Sequence, residues 1–433
     1  MSAISPHILA KAIPGMDAWL DTMRTEQGYG GPVAHRWQDS LFYTGSGFDW
    51  RYEGIIFGYL RLHQVTGELR WLSKACRAGD DLRNAQLSDG RLPASSFEAN
   101  PAAGGTPHEA ACDLALLRLA AVLKAAGDPT WVEFLSTARR NLVEYYIQKL
   151  WDSTQCSFRN QTEDAALVPN KISTLVEAGF ALTEIEGKDD LLQQYFLPAL
   201  ASILPAQVKH AGSPLHGAID QSISGSHPSG RYFPYYVARC VPALLQAFQY
   251  KREQVYLDAA VDAMNFVLRS QRPNGSFPQV IYANGRQTLE PRWIAACGDI
   301  LRSAQLLSAY GYSWGGIEQT QKWLLDGILP SGGIRTADGF AALESSQLRN
   351  RLPDFRDLLP VCGWVDKAFY YLAQQVQPDW QIPSFSGIKQ VTLPCIFRGK
   401  VSDFLESEDC IQVSRAGKII YSWEKGKTWA KIH

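Results

Sequence analysis

Carboxylates and one imidazole stand where predicted apolar helices begin. In NPAAGGTPHEAACDLALLRLAAVL, residues 100–123, a Gly-Gly-Thr-Pro turn leads to His108 and Glu109 and then into an apolar stretch. Asp49 and Glu53 likewise lie at the start of an apolar stretch in GSGFDWRYEGIIFGYLRL. Glu290 comes just before a further apolar stretch. Cleavage of a glycosidic bond needs one protonated carboxyl group near the bridging oxygen and a second carboxylate that activates water or attacks carbon. We therefore predict a catalytic set made of Glu109 as general acid, Asp49, Glu53 and Glu290 as candidates for the second carboxylate, and His108 beside the acid.

Cationic and aromatic side chains accompany these groups. A guanidinium can bind a substrate carboxylate through paired hydrogen bonds, and flat aromatic rings can stack on sugar rings. The predicted substrate-binding residues are Trp50, Arg231, Tyr232, Tyr236, Arg292, Trp293, Trp364 and Asp366.

Each of these residues also has a simpler structural interpretation. A carboxylate in the first turn of a helix caps free N–H groups and complements the helix dipole, which alone would account for Glu109, Glu290 or Asp49. Arg292 could pair only with Glu290, and the aromatic rings could belong to the core. The recurrence of such groups at the same end of several helices favours a functional site.

The helices that must position these residues repeat at nearly constant spacing. With Asp49, His108, Asn170, Tyr232, Trp293 and Gly363 as anchors, the gaps are 59, 62, 62, 61 and 70 residues. Regular spacing of this kind indicates a repeat architecture. Helices that are apolar all round should be buried, and helices with one polar face should lie outside them. Inner helices are predicted within 49–65, 107–125, 170–186, 233–250, 291–311 and 357–377, and outer helices within 7–25, 69–86, 129–150, 189–209, 254–271 and 316–328.

Six alternating helical hairpins resemble the (α/α)6 toroid of the six-hairpin glycosidases, many polysaccharide lyases and the terpenoid cyclases. The resemblance covers roughly residues 7–377 and implies an all-α ring whose inner helices all begin at one end, around one cavity. The residues expected to border that cavity are His108, Glu109, Asp49, Glu290, Arg292 and Trp293.

Two short motifs resemble enzymes that act on sugars. His108-Glu109 is similar to the His-Asp pair that begins an inner helix in the unsaturated glucuronyl hydrolases, in which the acid protonates the substrate. That family has a second Asp at the start of the next inner helix, where this sequence has Asn170. The stretch LEPRWIAACGDILRSAQLL resembles the Leu-Glu-Pro-x-Trp segment of the glucuronyl epimerases. Both resemblances imply an acidic or otherwise highly hydroxylated sugar as substrate, such as a saccharide that contains uronic acid, and neither identifies the reaction.

Two other classes of function remain open. QRPNGSF, residues 271–277, resembles the Gln-Gly-Trp turn of the terpenoid cyclases, although the sequence has neither their DxDD motif nor a diphosphate-binding Asp cluster. An isoprenoid cyclase would need a drier cavity with fewer arginines. A non-catalytic helical scaffold would have a plugged centre and carboxylates that only cap helices.

The charge and the cysteine content of the sequence argue against several classes of partner and cofactor. The formal net charge of −1 argues against nucleic acid or an anionic membrane as a main partner, because no basic excess exists to displace counterions. The eight cysteines are scattered without a CxxC pair, which is typical of reduced thiols. Cys112, Cys240, Cys297 and Cys362 fall at similar places on inner helices, but the Trp-Cys-Tyr-Gly and Cys-His-Gly signatures of the zinc-binding lanthipeptide cyclases are missing. We predict no metal and no cofactor.

The ends of the sequence carry two further predictions. The first twenty residues show no secretory signal pattern, and no segment has the apolar length of a membrane span, so a cytoplasmic location is expected. The toroid is predicted over residues 1–379 and a small β-rich extension over 380–433, with Ala416-Gly417 as a hairpin turn.

Overall fold

The fold was analysed in a computed structural model. It describes residues 4–30, 42–44, 48–93, 105–340, 352–359, 365–378, 380–383, 390–427 and 430–432, and only the backbone of 42–44, 365, 366 and 430–432.

Six helices form an inner ring. In chain order they are Trp50–Thr66, Ala110–Ala125, Pro169–Glu186, Pro234–Lys251, Cys297–Ser308 and Val365–Gln374, called the first to sixth inner helices below. Each packs against the next, and the sixth packs against the first, so the ring closes. The predicted closed ring is therefore confirmed.

A second layer of helices surrounds the ring. It consists of Pro6–Thr22, Leu69–Ala85, Trp131–Arg139 continued by the π-helix Arg140–Leu150, the π-helix Leu192–Phe196 continued by Leu197–Ala201, Gln254–Arg269 and Ile317–Asp326. Each of these outer helices packs against an inner helix. The outer helices are amphipathic and bury only one side, whereas the inner helices are buried on most sides, as their sequences predict.

Local sequence signals set the helix ends. The first inner helix is N-capped by Asp49, whose side chain accepts from the Arg51 amide, and it ends at Gly67 in the left-handed conformation. Proline at the first helical position starts the third and fourth inner helices, where its missing N–H would have no partner. Gly298 lets the fifth and sixth inner helices meet closely, because an added Cβ would lie 1.8 Å from the carbonyl oxygen of Lys367.

Two inner helices begin later than predicted. The fifth was expected from residue 291, but Arg292–Trp293 form a short strand that pairs with Ala337–Asp338, and the helix starts at Cys297. The sixth was expected from residue 357, but Phe355–Leu358 form a separate single-turn helix closed by a capping box, and the inner helix is described from Val365. Strand pairing therefore delays the fifth helix, and the single turn before the sixth ends at Leu359, whose backbone is extended.

The C-terminal residues form an antiparallel sheet. Its strands are Val391–Phe397, Lys400–Glu406, Cys410–Arg415 and Lys418–Glu424, in that order, and Ala416-Gly417 forms the predicted turn between the last two. A further strand, Ala430–Ile432, pairs with Phe42–Thr44, which no sequence pattern predicted.

The sheet is joined to the toroid by a buried carboxylate. Glu406 accepts a hydrogen bond from the Trp19 indole at 2.7 Å, from the Ser331 hydroxyl at 2.7 Å and from the Lys425 ammonium at 2.9 Å. Trp19 lies on the first outer helix, so the sheet shares a polar centre with the helical layers. Within the described part of the chain, no helix combines the length and the hydropathy needed to cross a bilayer.

Candidate active site

A cavity opens at the end of the ring where the inner helices begin. It has a volume of about 390 Å³, within the range of small-ligand sites. All six hairpins contribute to its wall, through the first turns of the inner helices and the loops before them. The lining residues include Trp50, His108, Asn160, Asp164, Asn170, Lys171, Gln221, Arg231, Tyr235, Tyr236, Arg239, Gln279, Trp293, Asp299 and Lys367.

Aromatic rings and cations alternate around Trp50. The His108 imidazole stacks on the Trp50 indole with ring centroids 6.3 Å apart and planes inclined by 20°. The Lys367 ammonium lies 5.1 Å and the Arg239 guanidinium carbon 5.5 Å from the centroid of the same indole. Both distances allow a cation–π interaction with the indole, which helps to hold Trp50 in the wall.

His108 is the one described histidine in the cavity lining. Its Nδ1 lies 2.8 Å from the Thr106 hydroxyl, which also accepts from the His108 amide. Burial lowers the pKa of His108 well below its usual value, and the positive charge of Lys171 lowers this pKa further. The imidazole is therefore neutral near pH 7 and able to accept a proton.

Four charged side chains, of which three are buried and Arg302 is partly exposed, meet beneath the cavity and are called the ion quartet below. Arg239 donates to both carboxylate oxygens of Glu53, at 3.1 and 3.2 Å, and also to Glu177. Arg302 lies 3.4 Å from Glu53 and 3.3 Å from Glu177. Burial raises the pKa of Glu53, and the two arginines oppose that shift. Because each charge has two partners of opposite sign, the desolvation of the quartet is compensated.

Three polar atoms of residues in the cavity wall have no hydrogen-bond partner among the described residues. They are Oδ1 of Asn170, Oε1 of Gln221 and Nε of Arg239, all shielded from solvent. An unsatisfied buried polar atom costs about 1–3 kcal/mol. Because these three atoms are shielded from solvent, a ligand in the cavity could reach them only after a rearrangement of the wall.

The rim of the cavity is cationic. Arg231 is exposed and makes no side-chain hydrogen bond or ion pair with the described residues. Lys171 donates to Asn160 at 2.8 Å, and Asn160 donates in turn to Asp164 at 2.7 Å. Deeper in the wall, the Lys367 ammonium lies 2.6 Å from a carboxylate oxygen of Asp299.

Solved structures match this architecture, although no protein-family model and no curated protein matches the sequence. Cellobiose 2-epimerase from Bacillus thermoamylovorans is similar with a TM-score of 0.63 and 11% identity, over 86% of this chain and 100% of that one. A sugar epimerase from a ruminal bacterium is similar with a TM-score of 0.61 and 12% identity, over 84% of this chain and 97% of that one. An unsaturated glucuronyl hydrolase specific for heparin is similar with a TM-score of 0.59 and 12% identity, over 86% of this chain and 97% of that one.

The chain has the (α/α)6 toroid fold. The ring of inner helices and the structural similarity confirm the predicted fold class and its resemblance to the six-hairpin enzymes.

The toroid brings five predicted site residues to its cavity. Trp50, His108, Arg231, Tyr236 and Trp293 all line it, although 243 residues separate the first from the last. Their roles in binding and catalysis stay predictions.

Two predicted catalytic carboxylates lie outside the cavity lining. Glu109 is buried behind it, where its carboxyl accepts from the amides of Gly105 and Leu92 at 2.5 and 3.3 Å. Burial raises its pKa to about 8, and these amides oppose the shift. Asp49 caps the first inner helix and lies 3.7 Å from the Arg51 guanidinium. Neither side chain is part of the described lining, both accept from backbone amides, and the catalytic roles predicted for them stay predictions.

The other polar residues of the predicted site are held in ion pairs. Glu53 belongs to the ion quartet and lies beneath the cavity. Glu290 and Arg292 also lie outside the lining: Arg292 Nε is 3.3 Å from Glu290, and its Nη2 donates to Asp338. They were expected in a helical first turn, and the strand pairing of Arg292 with Asp338 turns them to each other.

Three further predicted binding residues do not contribute to the described lining. Tyr232 is buried and packs edge-on against Phe266, with centroids 6.2 Å apart. Trp364 lies outside the described residues, and only the backbone of Asp366 is described.

Several lining residues were missed by sequence reasoning. Asn170 and Lys171 begin the third inner helix, and their position in VPNKIS was visible in the repeat. Asp299 and Lys367 lie in the first turns of the fifth and sixth inner helices, but the late starts of those helices hid them. No group of three or more potential metal ligands occurs among the residues that the structure describes.

Proposed function

We propose that this toroid is an enzyme that binds a saccharide in its cavity and acts on it by proton transfer through His108. The observation that carries the proposal is the wall itself, in which aromatic rings stand beside polar and charged side chains. Sugars combine apolar ring faces, which stack on aromatic rings, with hydroxyl groups that donate and accept hydrogen bonds. A hydroxylated ring therefore matches a wall of this mixed composition.

The same wall disfavours an isoprenoid substrate. Lys171, Arg231, Arg239 and Lys367 all line the cavity, and a hydrocarbon would displace water from these polar groups without replacing its hydrogen bonds. A cavity lined by charged and aromatic side chains among the described residues also favours a binding site over a purely structural role.

The cations at the rim favour an acidic sugar. Arg231 presents an exposed guanidinium, which can bind a carboxylate through two parallel hydrogen bonds, and Lys171 lies on the same side as His108. A uronic acid residue supplies such a carboxylate, in agreement with the class of substrate implied by the sequence motifs.

The group best suited to move a proton is the neutral imidazole. The lining carboxylates are already engaged: Asp299 pairs with Lys367 at 2.6 Å, and Asp164 accepts from Asn160 at 2.7 Å. In a uronate, His108 would take the proton from the carbon next to the carboxylate, whose charge the cations offset. The imidazolium of His108 then gives this proton to the departing glycosidic oxygen, and the electron pair of the broken C–H bond forms the double bond of an elimination product. Elimination cleaves the glycosidic bond, as the sequence analysis expects.

The similar structures support this class of chemistry. Two of them are epimerases of sugars and one is a glucuronyl hydrolase, so in those proteins the fold belongs to enzymes that act on saccharides.

The test is a turnover screen with uronic-acid oligosaccharides, neutral oligosaccharides and an isoprenoid diphosphate. We expect turnover of a uronate, and a decrease in kcat of roughly 10²- to 10⁴-fold in His108→Ala. His210→Ala, in an exposed turn, is the matched control and should retain wild-type activity. Conversion of the isoprenoid alone would refute the proposal. Full activity of His108→Ala, with loss in Asp164→Asn, would assign the reaction to a carboxylate and support hydrolysis.

A further inference from the structure

We propose that Glu109, Tyr145, Tyr146 and Thr106 form a positioning set that fixes the imidazole of His108 for proton transfer. The inference rests on the proposed function in one respect, because it takes His108 as the group that moves the proton. It gives Glu109 a role different from the general acid that the sequence predicts.

The set acts on two adjacent residues, Gly105 and Thr106. Their amides donate to the carboxyl of Glu109, with the Gly105 nitrogen 2.5 Å from Oε1. Their carbonyls accept from two consecutive tyrosines, Tyr145 at 3.1 Å and Tyr146 at 3.2 Å. Donors and acceptors of the same short segment are therefore held from opposite sides.

Thr106 passes this constraint to the imidazole. Its hydroxyl oxygen lies 2.8 Å from Nδ1 of His108 and accepts from the His108 amide at 3.3 Å. The ring is thus held at Nδ1 and stacked on Trp50, whereas Nε2 makes no hydrogen bond to any residue that the structure describes. Nε2 is the nitrogen left for a ligand in the cavity.

Two features of the chain fit positioning better than simple loop closure. Gly105 has φ of +72°, and an added Cβ would lie 2.2 Å from the Tyr145 hydroxyl. Only glycine therefore allows the segment to pack this closely against the tyrosine. Both tyrosines belong to the π-helix Arg140–Leu150, and π-helical turns occur frequently at functional sites. Tyr146 also accepts from Asn141 at 3.3 Å, which orients its hydroxyl.

The kinetic test uses isosteric variants. Thr106→Val removes the hydroxyl at Nδ1, Thr106→Ser keeps it, and Tyr146→Phe removes the donor to the Thr106 carbonyl. We expect kcat to fall roughly 10- to 100-fold in Thr106→Val and Tyr146→Phe with KM changed less than about twofold, and Thr106→Ser to restore kcat. Tyr310→Phe, whose hydroxyl contacts Gln249 far from the cavity lining, is the matched control and should keep wild-type kcat. Wild-type kcat in Thr106→Val, or a parallel loss in Thr106→Ser, would overturn the inference.

A second measurement separates this inference from the proposed function. Nitrogen-15 NMR of labelled histidine, with His108→Ala to assign the signal, reports the tautomer of the imidazole without any substrate. The wild type should show a single neutral tautomer, and Thr106→Val an average of two. An unchanged tautomer in Thr106→Val refutes positioning. Full activity of His108→Ala with the expected NMR change would refute the proposed function and leave the positioning set in place.

Discussion

At the scale of single residues, burial decides the protonation of the two neighbours His108 and Glu109. Burial lowers the pKa of the imidazole well below its usual value and raises the pKa of the carboxyl group to about 8. Both groups are therefore uncharged near neutral pH. Burial thus makes His108 a neutral base and Glu109 a neutral acid.

The first prediction concerns the pH dependence of activity. A base must be unprotonated, so the acid limb of kcat/KM follows the pKa of His108, which burial and then Lys171 displace downwards. We expect kcat/KM to stay constant as the pH falls through about 6.5, the ordinary value for histidine, and to decline only below it. Steady-state kinetics across this range are the measurement, and a limb at or above the ordinary value would contradict the assignment.

The second prediction concerns the pH dependence of stability. Between the ordinary glutamate pKa of 4.5 and the folded value of about 8, the folded state keeps the proton on Glu109 and the unfolded state releases it. The contribution of Glu109 to stability is thus complete below the lower value and is lost as the pH rises through the upper one. Glu109→Gln cannot titrate. Chemical denaturation at about pH 5 and 8 should show the wild type losing roughly 2–4 kcal/mol relative to this variant, and parallel pH profiles of the two proteins would refute the shift.

At the scale of helices and strands, the close approach of the fifth and sixth inner helices gives the third prediction. Gly298→Ala brings a Cβ against the backbone carbonyl of Lys367, which cannot move without disturbing the Lys367–Asp299 pair. We expect the free energy of unfolding to fall by roughly 2–4 kcal/mol. Gly212→Ala is the control, because nothing lies within 4 Å of its added Cβ. Equal stability of the two variants would show that the helices do not meet at this glycine.

Helices were more predictable from sequence than the site was, for physical reasons. Apolar residues on all sides of a helix follow from burial alone, so spacing and hydropathy identify the ring. A carboxylate in a first turn satisfies backbone amides whether or not it also faces a ligand, so Asp49 and Glu109 gave the same signal as a catalytic acid. Partners such as Glu53 and Arg239 are 186 residues apart, and nothing local in the sequence indicates their contact.

At the scale of the whole molecule, the C-terminal sheet and the toroid share one buried charge centre, which gives the fourth prediction. Glu406→Ala leaves the Lys425 ammonium and the Trp19 indole without an acceptor in a fully buried site. Loss of one partner from a buried pair costs about 3–5 kcal/mol. Glu424→Ala, an exposed strand residue 3.7 Å from Lys427, is the control and should cost less than about 1 kcal/mol. Urea denaturation of both variants is the measurement, and similar midpoints would show that the sheet does not stabilise the helical layers.

The cavity and the ion quartet lie one below the other along the axis of the ring. Among the described residues, the cavity lies at the end where the inner helices begin, and the ion quartet crosses the ring axis below it. A ligand bound there would lie beside the cations Lys171 and Arg231 and the imidazole of His108.

The central claim is proton transfer from the carbon next to a sugar carboxylate, and its most direct test is solvent exchange. Uronic-acid oligosaccharides are incubated with the protein in deuterium oxide and followed by proton NMR. The account predicts loss of the signal of the proton on that carbon, by deuterium incorporation or by formation of a double bond, and retention of the signal with His108→Ala. Cleavage of the glycosidic bond with that proton fully retained would contradict the account and identify hydrolysis instead.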